Sequence, residues 1–301
     1  MRIYTSVLNM RRRLLQILVR LPRNLLNGYY FLPKQKNLLQ EIDWNVLIIL
    51  DAARADRACR HLHGAFPVRS LAHLTLGWIE KFLDFARRQE ILYVTGNPVV
   101  NRELSSVAHN FSIISPWQDR WKRFGPLNIP TVPPSEVRNA TFEYVAESGQ
   151  PSRMVVHFLQ PHSPYVGDYS LPFTEWPNMK AHGLSDSVRR MPSVRSALAQ
   201  GKLSLEQVER AYESNLSLVV PYAKEVAECL KGTVVITADH GELLGEDGYY
   251  GHRQYHPFLR VVPWQVRDNG AFEPKPIQWD DTTARKDNSV IEQRLRGLGY
   301  L

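Results

Sequence analysis

The feature that most limits what this chain can become is a set of four short apolar runs, rich in β-branched residues. They are Trp44–Leu50 (WNVLIIL), Ile91–Thr95 (ILYVT), Met154–Leu159 (MVVHFL) and Thr233–Ala238 (TVVITA). A run without polar alternation suits a strand buried on both faces. Helical stretches are expected between them, at about Ala52–Leu62, Trp78–Arg88, Ser135–Glu147 and Leu205–Leu230. Strands alternating with helices predict an α/β fold, a mostly parallel central sheet flanked by helices on both faces. A last candidate strand, Leu259–Val266, contains Pro263 and is expected at a sheet edge, where a missing N–H breaks no ladder. Residues 163–203 break the rhythm with four prolines and no clear period. They are read as a lid-like insertion over a substrate site, with surface decoration as the competing reading.

The net charge of +7 on 301 residues would suggest a nucleic-acid partner if it were spread evenly, but it is not. Residues 1–40 hold eight basic side chains and no acidic one, leaving 29 basic against 30 acidic residues in the rest. The expected division is therefore a basic N-terminal arm, 1–40, and an α/β domain, 41–301. The arm's Leu14–Leu26 (LLQILVRLPRNLL) mixes aliphatic and basic residues, and Arg20, Pro22 and Arg23 keep it short of the ~20 apolar residues of a spanning helix. It reads either as an amphipathic segment on an anionic membrane surface or as a helix docked on the domain. No nucleic acid is expected as a partner, because no aromatic-interleaved basic patch occurs elsewhere. Cys59 and Cys229, far apart and outside any CxxC pair, read as buried small hydrophobes of a reducing compartment. The expected location is thus cytoplasmic, with peripheral contact at the inner face of a membrane.

In open α/β sheets ligands bind beyond the carboxyl ends of the strands, so the residues that follow each run matter most. The first run ends in Asp51, the third in Gln160-Pro161-His162, and the fourth in Asp239-His240-Gly241-Glu242. Carboxylates and an imidazole delivered to one edge make a candidate site for a divalent cation. Such a cation would offset the charge of an anionic ester. Thr75, just ahead of the expected helix at Trp78–Arg88, is the leading candidate for a nucleophile, with Ser70 the alternative and a simple helix cap the bland reading. His157, inside the third run, is expected to be a hydrogen-bonded core histidine.

Several of these segments resemble the sulfatase-like branch of the alkaline phosphatase superfamily. Val234–Glu246 (VVITADHGELLGE), with Tyr250-Gly251-His252 and the Arg260–Pro263 stretch, is similar to that family's C-terminal metal motif. Leu47–Asp56 (LIILDAARAD) is similar to its opening metal strand, and Leu159–Tyr165 (LQPHSPY) to its central histidine segment. The end of the chain, Gln293–Leu301, is similar to how many members finish. The resemblance implies an alkaline-phosphatase/sulfatase-like fold with Asp51, Asp239 and His240 as metal ligands. It places His162 near the bridging oxygen of the substrate, and His252 at a second metal or at the substrate. Arg54 and His73 are carried as candidate substrate contacts.

The chain departs from sulfatases in lacking a C/S-x-P-x-R motif, so the resemblance favours the phosphotransferase-type members, in which a Thr or Ser sits on the metal. Thr75 then serves as both nucleophile and ligand. The expected activity is a metal-dependent hydrolase or transferase of phosphate or sulfate esters, phosphoryl transfer favoured, using Mn, Zn, Mg or Ca. Its substrate would be an anionic ester, glycan- or lipid-linked. The alternative is a degenerate relative that binds a glycan or lipid headgroup without catalysis.

Overall fold

The computed structural model describes residues 29–86, 89–105, 111–174 and 192–277. Leu14–Leu26 of the arm, the middle of the insertion and the Gln293–Leu301 ending lie outside them.

Among the described residues the central sheet has seven strands. In chain order these include β1 (Val46–Leu50), β2 (Phe66–Arg69), β3 (Ile91–Thr95) and β4 (Phe111–Ile114). A small hairpin of β5 (Lys122–Phe124) and β6 (Ile129–Thr131) follows, then β7 (Met154–Phe158) and β8 (Thr233–Thr237). The two-residue strands β9 (Leu243–Leu244) and β10 (Tyr250–Gly251) pair with each other, and β11 (Val261–Asp268) returns to the sheet. The order across the sheet is β2-β11-β8-β1-β7-β3-β4. All neighbours are parallel except the pairs made by β11. The four apolar runs are the four innermost parallel strands, and every residue of β1, β3 and β7 is buried, so both faces of the sheet are covered.

The helices that cover it are α1 (Gln35–Glu41), α2 (Ala55–Ala58), α3 (Thr75–Ala86), α4 (Pro98–Ser105), α5 (Pro116–Asp119), α6 (Pro134–Ser148), α7 (Val194–Ala199) and α8 (Leu205–Cys229). α8 starts on a capping box, in which the Ser204 hydroxyl accepts from the Gln207 N–H and the Gln207 side chain accepts from the Ser204 N–H. Its apolar face, from Leu216 through Ala227, joins the main core beneath β1 and β8. The first half of the same helix packs into a second, smaller core with Tyr165, Leu171, Val194, Leu203, Leu244 and Tyr250. Both described ends of the 163–203 insertion therefore pack against the loop that follows β8.

Two expectations are corrected. β11 is not an edge strand, for it lies between β8 and β2. Pro263 is accommodated because it lies opposite Pro67 of β2, so the two residues without an N–H share one rung, and the pairing with β8 begins one residue later at Trp264. The cysteines are free, but Cys229 is exposed at the end of α8 and Cys59 only half-buried, so neither is a fully buried hydrophobe.

In the described part of the basic N-terminal stretch, Tyr29, Gln35 and Leu39 are buried against the domain, whereas Tyr30 and Phe31 are exposed. Gln35, at the start of α1, is fully buried with all its polar atoms matched. Its carbonyl accepts from the Leu71 N–H (3.1 Å) and Trp78 Nε1 (2.9 Å), and its amide donates to Thr237 Oγ1 and the Ala238 carbonyl (both 2.9 Å). This ties α1 and α3 to the end of β8, one residue before Asp239. Gln35→Leu would leave a buried indole N–H and a buried amide without acceptors. It is expected to cost about 2–4 kcal/mol, read as a lower urea midpoint at unchanged m-value. An unchanged midpoint would show that water replaces the glutamine.

Candidate active site

The parallel register builds the site. β1 and β8 pair with Ile49 opposite Thr237, so two residues further on Asp51 and Asp239 come side by side. β1 and β7 pair with Leu50 opposite Phe158. The Asp51 N–H then donates to the Phe158 carbonyl (3.2 Å), and the His162 N–H to the Asp51 carbonyl (3.1 Å). Three strand ends thus deliver Asp51, His162, Asp239 and His240 to one rim of the sheet.

Asp51, Asp239 and His240 are buried and present ligand atoms within 4.8 Å of one another. His240 Nε2 is 3.6 Å from Asp51 Oδ1 and 3.4 Å from Asp239 Oδ2. Its Nδ1 lies 2.7 Å from the Gly241 carbonyl and donates to it, which leaves Nε2 with its lone pair toward the carboxylates. Gly241 has to be glycine, because a Cβ there would sit 2.3 Å from the Phe258 carbonyl oxygen.

Thr75 joins this group from the first position of α3. Its hydroxyl donates to Asp239 Oδ2 (2.8 Å) and lies 3.2 Å from His240 Nε2. Ser70, the alternative, donates its hydroxyl to the Asp239 carbonyl behind the site, and so holds the backbone rather than facing the cluster.

A second group, His162, Glu242 and His252, also has ligand atoms within 4.8 Å of one another. His252 bridges the two groups, with its ring centroid 4.6 Å from that of His240 and 5.3 Å from that of His162. Its Nδ1 donates to Glu242 Oε1 (2.9 Å), and His162 Nδ1 donates to the Ser163 carbonyl (2.7 Å), so each ring turns Nε2 the other way. His73 sits half-buried at the rim, its ring 6.0 Å from that of Tyr255. Burial and the nearby charges of Arg260 and Lys81 disfavour its protonated form.

Arg54 directs its guanidinium elsewhere, to both Asp56 oxygens (2.9 Å each), Glu246 Oε1 (2.6 Å) and the Glu242 carbonyl (3.2 Å). It braces the loop that carries Glu242.

Several residues the sequence reading did not assign hold this geometry. Asn97 donates its amide to Asp51 Oδ2. Asn215 of α8, fully buried, accepts from the Val166 and Gly167 N–H groups and donates to the carbonyls of Pro161, His162 and Pro164. One side chain thereby fixes the segment bearing His162. Tyr212, one turn earlier, donates to the Ala52 carbonyl (2.8 Å) and accepts from the Arg54 N–H (2.9 Å). These bonds hold Ala52 in the left-handed region (φ 62°), which costs a non-glycine residue about 1–2 kcal/mol and aims its N–H at Asp239 Oδ1 (3.1 Å).

His157 meets its expectation in part. It is buried in β7 and its Nδ1 meets the Tyr93 hydroxyl (2.9 Å), but its Nε2 has no hydrogen-bond partner among the described residues. That nitrogen points at Asp51 Oδ2 from 3.6 Å. It is a neighbour of the site, not a satisfied core residue. Burial keeps it neutral, its pKa lowered to about 4.

Two carboxylates buried together repel. Burial and the neighbouring Asp239 push the Asp51 carboxyl up to about 7. Burial also acts to raise Asp239, but the neighbouring imidazoles of His240 and His157 and the bonds from Thr75 and Ala52 bring it below its ordinary value. Asp51 Oδ1 is buried without any hydrogen-bond partner among the described residues. A divalent cation fits this arrangement, since two carboxylate oxygens, an oriented imidazole nitrogen and a hydroxyl are the donors such an ion takes, and it would occupy the side of Asp51 that no donor meets.

Neither a family model nor a curated sequence matches the chain. Among solved structures it is similar to the soluble domain of lipooligosaccharide phosphoethanolamine transferase A from Neisseria meningitidis, with TM-score 0.51 and 14% identity over 73% of this chain and 74% of that one. It is similar in the same degree (TM-score 0.51, 14% identity) to the integral membrane protein of that name, over 78% of this chain and 47% of that one. The chain thus spans about half the length of the membrane protein. At this identity the likeness is one of fold. No helix among the described residues is long and apolar enough to cross a membrane.

Proposed function

We propose that this chain, whose fold is that of the alkaline-phosphatase/sulfatase-like superfamily, is a metal-dependent enzyme that transfers a phosphoryl group from an anionic ester through Thr75. The observation that carries the reading is the Thr75 hydroxyl, hydrogen-bonded to Asp239 and next to His240, at the start of a helix. Asp51, Asp239, His240 and Thr75 would hold the ion. When bound, a divalent cation supplies positive charge that offsets the ester's anionic oxygens and lowers the pKa of a nearby hydroxyl.

The residues divide the remaining work. Thr75 Oγ1 attacks phosphorus in line, its proton passing along the existing bond to Asp239. As the Oγ1–P bond forms, the bond from phosphorus to the leaving oxygen breaks, and that oxygen departs at the His162–His252 end of the site, taking its proton from solvent water. Water or an acceptor hydroxyl then attacks the phosphothreonine, and Thr75 leaves with its proton restored. N–H groups at the first turn of α3 face the developing negative charge. Asn97, Asn215 and Tyr212 keep the reacting groups placed while this happens.

The similar solved structures are named for phosphoethanolamine transfer and lipooligosaccharide, in keeping with a glycan- or lipid-linked phosphate ester as substrate here. The assay is alcohol release from phosphodiesters, phosphomonoesters and sulfate esters, each with Zn²⁺, Mn²⁺, Mg²⁺ and Ca²⁺. Phosphate esters are expected to turn over and sulfate esters to lag; release from sulfate esters alone would overturn phosphoryl transfer.

The basic arm belongs to the same reading as a peripheral contact with the cytoplasmic face of an anionic membrane. At about 1 kcal/mol per basic residue near such a surface, replacing Arg11, Arg12, Arg13, Arg20 and Arg23 with glutamine is expected to weaken co-sedimentation with phosphatidylserine vesicles by at least about a hundredfold. Unchanged sedimentation would remove the arm's role.

A further inference from the structure

Beside the His162–Glu242–His252 group, a groove of about 550 Å³ runs between α7, the start of α8 and the β10 turn. Arg195, Leu198, Leu203, Leu205, Tyr250 and Arg253 line it. It adjoins that group through the chain. Arg253 follows His252 directly, and Gly251 precedes it.

Gly251 adopts φ +89°, and a Cβ there would sit 2.3 Å from Arg195 Nη2. The guanidinium therefore lies on bare backbone, one residue from His252, in space that a side chain would fill. Its charge reaches both Glu242 and His252. No acidic residue lines the groove among the described residues, whereas two arginines do. The rest of the lining includes three leucines. Leu203 is buried in the second core, Leu205 packs against that core, and Leu198 is half-buried.

Two arginines and three leucines lining one groove fit one kind of molecule, an anion carrying an alkyl chain. Guanidinium groups match the geometry of phosphate oxygens, and each methylene laid on the leucines leaves water for an apolar surface. We propose that this groove is a lipid-phosphate subsite, in which Arg195 and Arg253 hold an anionic phosphate group and Leu198, Leu203 and Leu205 receive its alkyl chain. The assignment of the groove as a substrate subsite rests on the proposed catalytic reading of the adjoining histidines. The binding itself does not.

The test measures binding without turnover. Full-length Asp239→Asn protein, in which the cation site is disabled, is titrated calorimetrically with octyl phosphate below its micelle concentration. Methyl phosphate, glucose 6-phosphate and octanol are titrated alongside. Octyl phosphate is expected to bind at least tenfold more tightly than each of the other three. Adding Arg195→Gln should weaken octyl phosphate by tenfold or more. Adding Arg253→Gln, at an exposed position, should weaken it severalfold and covers the case in which the Arg195 variant does not fold. Leu198→Asn should erase most of the preference for octyl over methyl phosphate.

Equal binding of methyl and octyl phosphate, or affinities unmoved by either arginine variant, would overturn the proposal. Glucose 6-phosphate binding as tightly as octyl phosphate would overturn it in favour of a glycan phosphate. If octyl phosphate binds as predicted but the wild-type protein turns over no ester, the catalytic reading fails and the lipid-phosphate site stands. The reverse result removes the subsite and leaves the catalytic reading intact.

Discussion

Replacing Thr75 with alanine is expected to lower turnover of a phosphate ester by at least about ten-thousandfold, the scale seen when a single nucleophile is removed from a cooperating set. The hydroxyl is the only group at the start of α3 that contacts both Asp239 (2.8 Å) and His240 (3.2 Å), so no neighbour among the described residues stands ready to replace it. Ser70 does not, because its hydroxyl is bound to the Asp239 carbonyl. Thr75→Ser keeps the attacking oxygen and should retain activity within about tenfold, the lost methyl only loosening its placement. Mass spectrometry of protein quenched during turnover should find a phosphate on Thr75 in the wild type and none in the alanine variant. If Thr75→Ala keeps wild-type turnover, water attacks directly or another residue is the nucleophile.

The second large effect concerns Asp239→Asn, which should flatten the pH dependence of stability without cation and remove most of the stabilisation that cation gives. In metal-free protein Asp51 holds its proton up to about pH 7, because it is buried and faces Asp239. Unfolded, it releases that proton near its ordinary value of 3.8. Between these two values the folded state binds the extra proton, so stability falls as pH rises. Three pH units at 1.36 kcal/mol each set an upper bound of about 4 kcal/mol. Asp239, held below its ordinary value, stays ionised across that window.

Removing the Asp239 charge relieves its repulsion of Asp51, so the stability of chelated Asp239→Asn protein should fall less between pH 4 and 7 than that of the wild type. Saturating cation should raise the urea midpoint of the wild type strongly and that of the variant little, since the variant has lost a ligand. Equal pH profiles in chelator would mean that the two carboxylates do not share a site.

What could be read in the sequence follows from where burial erases ambiguity. β1, β3, β7 and β8 were legible because strands covered on both faces carry no alternation to confuse with a helix. Their ends were legible because a polar residue straight after such a run has to sit at the sheet's edge. Asp51, Asp239 and His240 fall together for that reason, and Thr75 because a hydroxyl opening a helix could point to the same edge. β2 (FPVR) and β6 (IPT) were not visible, as proline in a three- or four-residue run reads as a turn. Pro263 misplaced β11 for a related reason, since one sequence does not show that another proline will lie opposite.

The supporting residues were harder still. Asn97, Asn215 and Tyr212 are ordinary helix or loop residues until the fold brings α8 against the Asp51 turn and the His162 segment. His157 looked like core because it lies within a strand, but the register sets it against Ile49 and Thr95, close enough for its ring to reach Asp51. For Arg54 a substrate contact, a brace of the site and a salt bridge read alike in the sequence; the structure turns it to Asp56 and Glu246, partners two residues and nearly two hundred residues away.

Counting the divalent ions bound per chain tests the account at its root. Wild-type and Asp239→Asn protein would be dialysed to equilibrium against Zn²⁺ or Mn²⁺ and their metal content measured by elemental analysis. At least one ion per wild-type chain, falling below a tenth in the variant at the same free concentration, is the predicted result. A wild-type chain that takes up no ion, or a variant that binds as much as the wild type, would contradict it.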